Sequence, residues 1–225
     1  MHRYRELFEI WRRDNSLTQA LSASYSMLEH TGRMFGASVS VLRESGSGDI
    51  SASIFVEDLT INKYHQDVRR KVLRHLSITG GTNLISGLVL TSIVNDIERI
   101  GDYTKNITEL AVNYSERLLC GRCEEEVTRM EKSIMEIFSR TVPILKSSNI
   151  TDARTLITDS LRIRKHCDSM IQDLVKGIDG TLSVRNAVIL ALYIRYLKRI
   201  SAHLSNILSS VVNPYERVWY REDIV

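Results

Sequence analysis

Glu98, Asp102 and Asn106 stand four residues apart within the stretch Asn95-Asp-Ile-Glu-Arg-Ile-Gly-Asp-Tyr-Thr-Lys-Asn106. On an α-helix that spacing places three oxygen-bearing side chains in one row along a single face. Oxygen donors of this type bind hard cations, which take about six ligands. Two carboxylates one turn apart repel each other by a few tenths of a kcal/mol when exposed and by more when buried, and a cation removes that cost. Two acids are not a site, so neighbouring helices must supply the rest. The preceding helical segment offers Glu57 and Asp58, then Asn62 four beyond Asp58, then Gln66; Glu29 and His30 lie on the segment before that. The plain alternative is a solvated acidic row, because polar pairs at this spacing occur on any helix.

A degraded copy, Arg199-Ile-Ser-Ala-His-Leu-Ser-Asn-Ile207, recurs about one hundred positions later. Lys198, Ala202 and Asn206 stand in register with Glu98, Asp102 and Asn106, and Arg164 falls near the position matching Asn62. A cation where a metal ligand should sit adds repulsion to the loss of the ligand, so the second copy is expected to hold no such ion. His166, Cys167, Asp168 and His203 read as scattered polar residues on helix faces, not as a soft-metal site. Gly101 between the two acids is matched by Ser201. Glycine inside a helix costs up to about 1 kcal/mol against alanine, and a small residue in both copies points to close packing.

The elements that must position this row are helices. No stretch alternates as a strand for more than a few residues, and only two prolines occur. Breakers divide the chain into six long helical segments. Ser16 to Leu42 ends at the link Glu44-Ser-Gly-Ser-Gly48; the second segment, capped by Asp49 or Ser51, runs to Leu76 and closes at Gly80-Gly81; the third runs from about Thr82 to Leu119, roughly 50 Å. Glu124 to Lys146 carries Pro143 in its last turn, Thr151 caps a segment to Lys176 that ends at Gly177 and Gly180, and Thr181 or Ser183 opens the sixth, which stops at Val212 before Asn213-Pro214. Short links between long helices predict an all-α protein of antiparallel bundles, three helices in residues 1–120 and three in 121–225. Val72, Leu73, Leu76, Leu84, Leu88 and Leu90 are the core candidates of the second and third segments.

Composition bounds the function. With 43% hydrophobic and 25% charged residues the chain is globular, and 30 bases interspersed with 27 acids leave a net charge of +3 without a nucleic-acid footprint. Arg69, Arg70, Lys71, Arg74 and His75 wrap around their helix instead of lining one stripe, which reads as a solvated face, with a docking patch for an acidic partner as the alternative. No apolar stretch reaches the roughly 20 residues of a membrane span, and Met1 to Asp14 lacks a signal-peptide core, which predicts a cytoplasmic protein. Three cysteines suit a reducing compartment, and Cys120-Gly-Arg-Cys123 reads as two thiols in an interhelical link.

The text Asp96-Ile-Glu-Arg-Ile-Gly-Asp102 with Asn106-Ile107 resembles the signature of PhoU proteins, regulators of phosphate uptake. Glu57-Asp58, Ile61-Asn62 and Val212-Asn213-Pro214 extend the resemblance over most of the chain. It implies two tandem three-helix bundles related by a pseudo-twofold axis. It further implies multinuclear metal clusters on the bundle surface, of iron, zinc, manganese, magnesium or calcium, with Glu98, Asp102 and Asp58 as ligands and Glu57 and Asn62 contributing. Asn62 stands where the family usually has an acid. The implied role is non-enzymatic control of phosphate uptake and starvation signalling by contact with a phosphate ATP-binding cassette transporter ATPase or a sensor histidine kinase, reaching the membrane only through such partners; exposed apolar faces on slender bundles leave a homodimer open alongside a monomer. A metal-dependent phosphoesterase and a metal-free helical adaptor are the rival classes. The tail Tyr215-Glu-Arg-Val-Trp-Tyr-Arg221 combines aromatics and arginines and is expected to fold back on the sixth helix.

Overall fold

The computed structural model describes residues 15–44, 48–79, 83–114 and 116–213. Among them run six α-helices: α1 (Asn15–Arg43), α2 (Gly48–Ile78), α3 (Leu84–Asn113), α4 (Glu124–Ser147), α5 (Ile150–Val175) and α6 (Val184–Val212), with one 3-10 turn at Gly121–Cys123. The expectations for Met1 to Asp14, the centre of the Glu44–Gly48 link, Gly80-Gly81, Thr82, Pro214 and the aromatic tail lie outside the described residues. No helix among the described residues is long and apolar enough to cross a membrane.

The expected segments appear with shifted ends. Helix α3 stops at Asn113 and not Leu119, because Tyr114 leaves the helical region (φ −123°, ψ 88°) and the chain turns back so that the Leu118 N–H donates to the Leu42 carbonyl at 3.1 Å. Its 30 residues span about 45 Å. The cap of α5 is Asn149, whose side chain accepts from the Asp152 N–H, and not Thr151; Ser183 caps α6 by accepting from the Asn186 N–H.

Each trio packs on itself, α1 with α2 and α3, α5 with α6 and, less closely, with α4. The trios join mainly where α3 lies against α6, and also where α1 meets α4. Along α3 the buried positions Leu90, Ile93, Val94, Ile97, Ile100, Thr104, Ile107 and Thr108 follow the three-and-four spacing of one helical face. Val72 and Leu90 are buried as expected, but Leu73 (67%) and Leu84 (50%) are exposed, since they lie off the stripes that α2 and α3 turn toward each other. Three buried threonines are satisfied within their own helices: Thr31, Thr104 and Thr141 each donate to the carbonyl four residues back, at 2.6–2.8 Å.

The packing role expected of Gly101 is borne out by its surroundings. A Cβ there would sit 3.3 Å from Ile61 on α2, and one at Gly87 would meet Val72 at 3.0 Å, so α3 uses two glycines to approach α2 closely. In the second trio Ser201 fills the matching place and exchanges hydrogen bonds with Ser160 of α5, 2.8 Å between hydroxyls. Ser160 therefore corresponds to Ile61, and Arg164 is level with His65, nearly one turn beyond Asn62.

Candidate functional site

Helices α2 and α3 carry all five expected ligands, but the side chains do not converge. Asp58 is buried, and its Oδ2 accepts from Lys105 Nζ of α3 at 3.2 Å and from Asn62 Nδ2 one turn along α2 at 3.5 Å. Glu57 turns toward α1, where His30 Nε2 lies 3.7 Å from its carboxylate. Glu98 has the guanidinium of its neighbour Arg99 at 3.9 Å. Asp102 lies near enough to Lys105 to act on its charge. Among the described residues no group of three or more His, Cys, Asp or Glu side chains is placed to hold a metal ion. As placed, these donors do not fit a metal cluster: the most enclosed carboxylate already has a lysine ammonium on one oxygen.

Burial works against the Lys105 charge, but the hydrogen bond and charge of Asp58, with the charges of Asp102 and Glu109, outweigh it and hold the ammonium above the ordinary lysine value of 10.5. For a base with a raised folded-state pKa, the stabilisation is complete below 10.5 and is lost as pH rises through the higher folded value. The difference in melting temperature between wild type and Lys105→Ala is therefore expected to be constant from about pH 6 to 9 and to shrink above about 10.5. Thermal melts across that range check it.

The seam between the trios is polar at its centre. Asp96 of α3 is buried and takes His203 Nδ1 at 2.6 Å and Asn206 Nδ2 at 3.1 Å from α6. Asn206, which matches the liganding row in sequence, thus reaches across to the other repeat. Tyr103 stacks on His203 (centroids 5.8 Å) and packs on Tyr196 at 6.0 Å. Tyr103 and His203 occupy matching positions of the two copies, as do Asp96 and Tyr196, so the cluster joins corresponding residues of the two repeats across the seam.

A second polar centre joins α1 to the later helices. The buried Arg43 guanidinium donates to the Leu118 carbonyl at 2.7 Å, to Cys120 Sγ at 3.0 Å and to Glu124, and its Nε lies 3.1 Å from Glu131. Tyr193 of α6, fully buried, donates to the same Glu131 at 2.7 Å. Burial pushes the Glu131 carboxyl up against the opposing pull of Tyr193 and Arg43.

The polar residues of the second trio are dispersed. Lys198 pairs with Asp168 of α5, Cys167 is buried against the Met130 sulfur at 3.6 Å, His203 serves Asp96, and His166 is exposed beside a groove between α4 and α5. Cys120 and Cys123 lie in the interhelical link as free thiols. Burial pushes Cys120 and Cys167 up to about 12; Cys123, half-buried, is also raised, by burial and by the nearby carboxylates Glu126, Asp179 and Asp173. Native protein at pH 8 is expected to react with a thiol-specific disulfide reagent first at Cys123, with Cys120 and Cys167 reacting only on unfolding; mass-mapped labelling reads the order.

Residues 25–111, which hold α2 and nearly all of α3, match the family model of the PhoU domain. That stretch is a PhoU domain. The chain shares its fold with the crystal structure of PhoU from Pseudomonas aeruginosa, at 18% identity and a TM-score of 0.78, covering 87% of this chain and 95% of that one. It is similarly close to the phosphate transport system regulatory protein PhoU from Streptococcus pneumoniae, at 15% identity and a TM-score of 0.76, covering 86% and 92%. A search of curated proteins finds no match.

Within the PhoU domain, sequence reading singled out Glu98, Asp102 and Asp58 but passed over Lys105 and Asp96. Lys105 was legible, since it lies seven residues after Glu98 and three after Asp102, on the same face. Asp96 was not, because its partners His203 and Asn206 come from the other repeat. Arg43 gave a partial signal, a lone base closing an otherwise apolar and small-residue stretch from Met34 to Leu42.

Proposed function

We propose that this chain is a non-catalytic regulator of phosphate uptake that acts in the cytoplasm by protein contact, on the ATPase of a phosphate transporter or on a sensor kinase. The observation that carries the reading is the PhoU domain at residues 25–111 inside a fold shared, over nearly their full length, with two PhoU proteins. Contact is favoured over phosphoester hydrolysis because water activation by paired ions needs converging carboxylates, and Asp58 faces a lysine on α3 while Glu57 faces a histidine on α1.

The outer stripe of α2 is the contact face that suits this role. Val56, Leu59, Lys63, Gln66, Arg70 and Leu73 recur along one exposed line, with Val56, Leu59 and Leu73 each at least 60% exposed and Arg69 and Arg74 beside it. Apolar anchors among basic residues fit a partner helix with acidic flanks. Pull-down from cells grown at high and at low phosphate tests both the function and the face. Wild-type protein is expected to recover the transporter ATPase or the kinase, and Leu59→Glu/Leu73→Glu to lose it by tenfold or more with stability changed by only about 0.5 kcal/mol. Recovery of neither partner by wild type contradicts the function; undiminished recovery by the variant removes the face.

A further inference from the structure

The α2–α3 face that carries the acidic row has a cation built into it. Lys105 lies seven residues beyond Glu98, two turns along the same side of α3, and its ammonium crosses to α2 to meet Asp58. Asn62, which stands where an acid is expected, donates its amide to the same Asp58 oxygen, so a residue that cannot add negative charge completes the arrangement. The two remaining acids of the row are also served: Glu98 by Arg99, and Asp102 by the nearby ammonium itself.

The second repeat closes its own face in the same way. Lys198, at the position of Glu98, reaches from α6 to Asp168 on the outer helix α5. In each trio, therefore, a lysine on the motif helix bonds an aspartate on the outer helix, although the two lysines come from different positions of the repeat. An ammonium tethered at hydrogen-bond distance from a carboxylate supplies the charge that a hard cation would bring, and it repels any cation that approaches.

We propose that the Lys105 ammonium replaces a metal ion on the α2–α3 face, making this PhoU domain independent of divalent cations, and that Lys105 is the residue that excludes them. The proposal does not rest on the regulatory function and fails separately from it. Lysine does here what a metal would do elsewhere, namely cancel the repulsion of Asp58 and Asp102 and tie two helices together.

The test compares full-length wild type, Lys105→Met, Lys105→Arg and Lys105→Met/Asp102→Ala. Each is stripped with a chelator, equilibrated with manganese, magnesium, zinc or ferrous iron, and assayed for bound metal and for melting temperature. Wild type and Lys105→Arg are expected to carry only substoichiometric metal and to melt alike with and without it. Lys105→Met is expected to bind manganese about tenfold or more tightly than wild type, and to melt higher when it is present. The double variant is expected to lose that gain, which ties it to the row. Stoichiometric metal in wild type that stabilises the fold overturns the proposal, as does a Lys105→Met protein no more responsive to metal than wild type. If Lys105→Met does not fold, Lys105→Gln, which keeps a polar head for Asp58, takes its place under the same two criteria.

Discussion

Arg43→Ala is expected to destabilise the protein by about 3–5 kcal/mol, a large share of the stability of a domain of this size. The guanidinium is buried and gathers the Leu118 carbonyl, Cys120 Sγ, Glu124 and Glu131, which belong to the link between trios and to α4. Removing it leaves Glu131, whose side chain is only 12% exposed, as a carboxylate without its charge partner, and the cost of that uncompensated charge exceeds the worth of the pair itself. Arg43→Lys keeps the charge but loses the fork that serves several acceptors, and is expected to fall between wild type and alanine. Chemical denaturation monitored by circular dichroism measures all three.

Tyr193→Ala is expected to cost a similar amount, about 3–5 kcal/mol, for a different reason. Tyr193 is among the largest side chains buried completely, in the middle of α6, so truncation opens a cavity as well as removing the hydroxyl that donates to Glu131. Tyr193→Phe removes the hydroxyl alone and is expected to cost about 1.5–3 kcal/mol, the value of a hydrogen bond to a charged acceptor. Because Arg43 and Tyr193 share Glu131, Arg43→Ala combined with Tyr193→Phe is expected to depart from the sum of the single costs. Additivity within about 0.5 kcal/mol would show that the two residues act independently.

These residues also show how far sequence reading reaches. Helices were legible because the apolar stripe of α3 from Leu90 to Thr108 has local periodicity, and the repeat was legible because Arg199 to Ile207 copies Arg99 to Ile107. Helix ends were less so: Asn149 and Thr151 are both acceptable caps, and only the folded backbone decides which side chain reaches the free N–H. Leu73 and Leu84 looked like core because hydrophobicity alone does not specify which side of a helix faces its partner. The acidic row was read correctly as a row. What spacing along one helix could not supply was the partner set, since Lys105 finds Asp58 across 47 positions and Asp96 finds His203 across 107.

The arrangement of these features suits the regulation by contact proposed above. Inner helices α3 and α6 meet at the Asp96–His203 and Tyr103–Tyr196 cluster, leaving α2 with an outward stripe free of packing duties. A packed seam behind an exposed face suits the contact proposed above, because a partner meeting a preformed surface faces less ordering entropy on binding.

Uptake of radiolabelled inorganic phosphate tests the central claim most directly, in cells lacking this chain and in the same cells complemented with wild type or with Leu59→Glu/Leu73→Glu. At high external phosphate, cells without the chain are expected to take up phosphate without restraint, wild type to restore restraint, and the stripe variant to fail to do so while accumulating to wild-type levels. Uptake that is the same with and without the chain, at both high and low phosphate, would contradict the account.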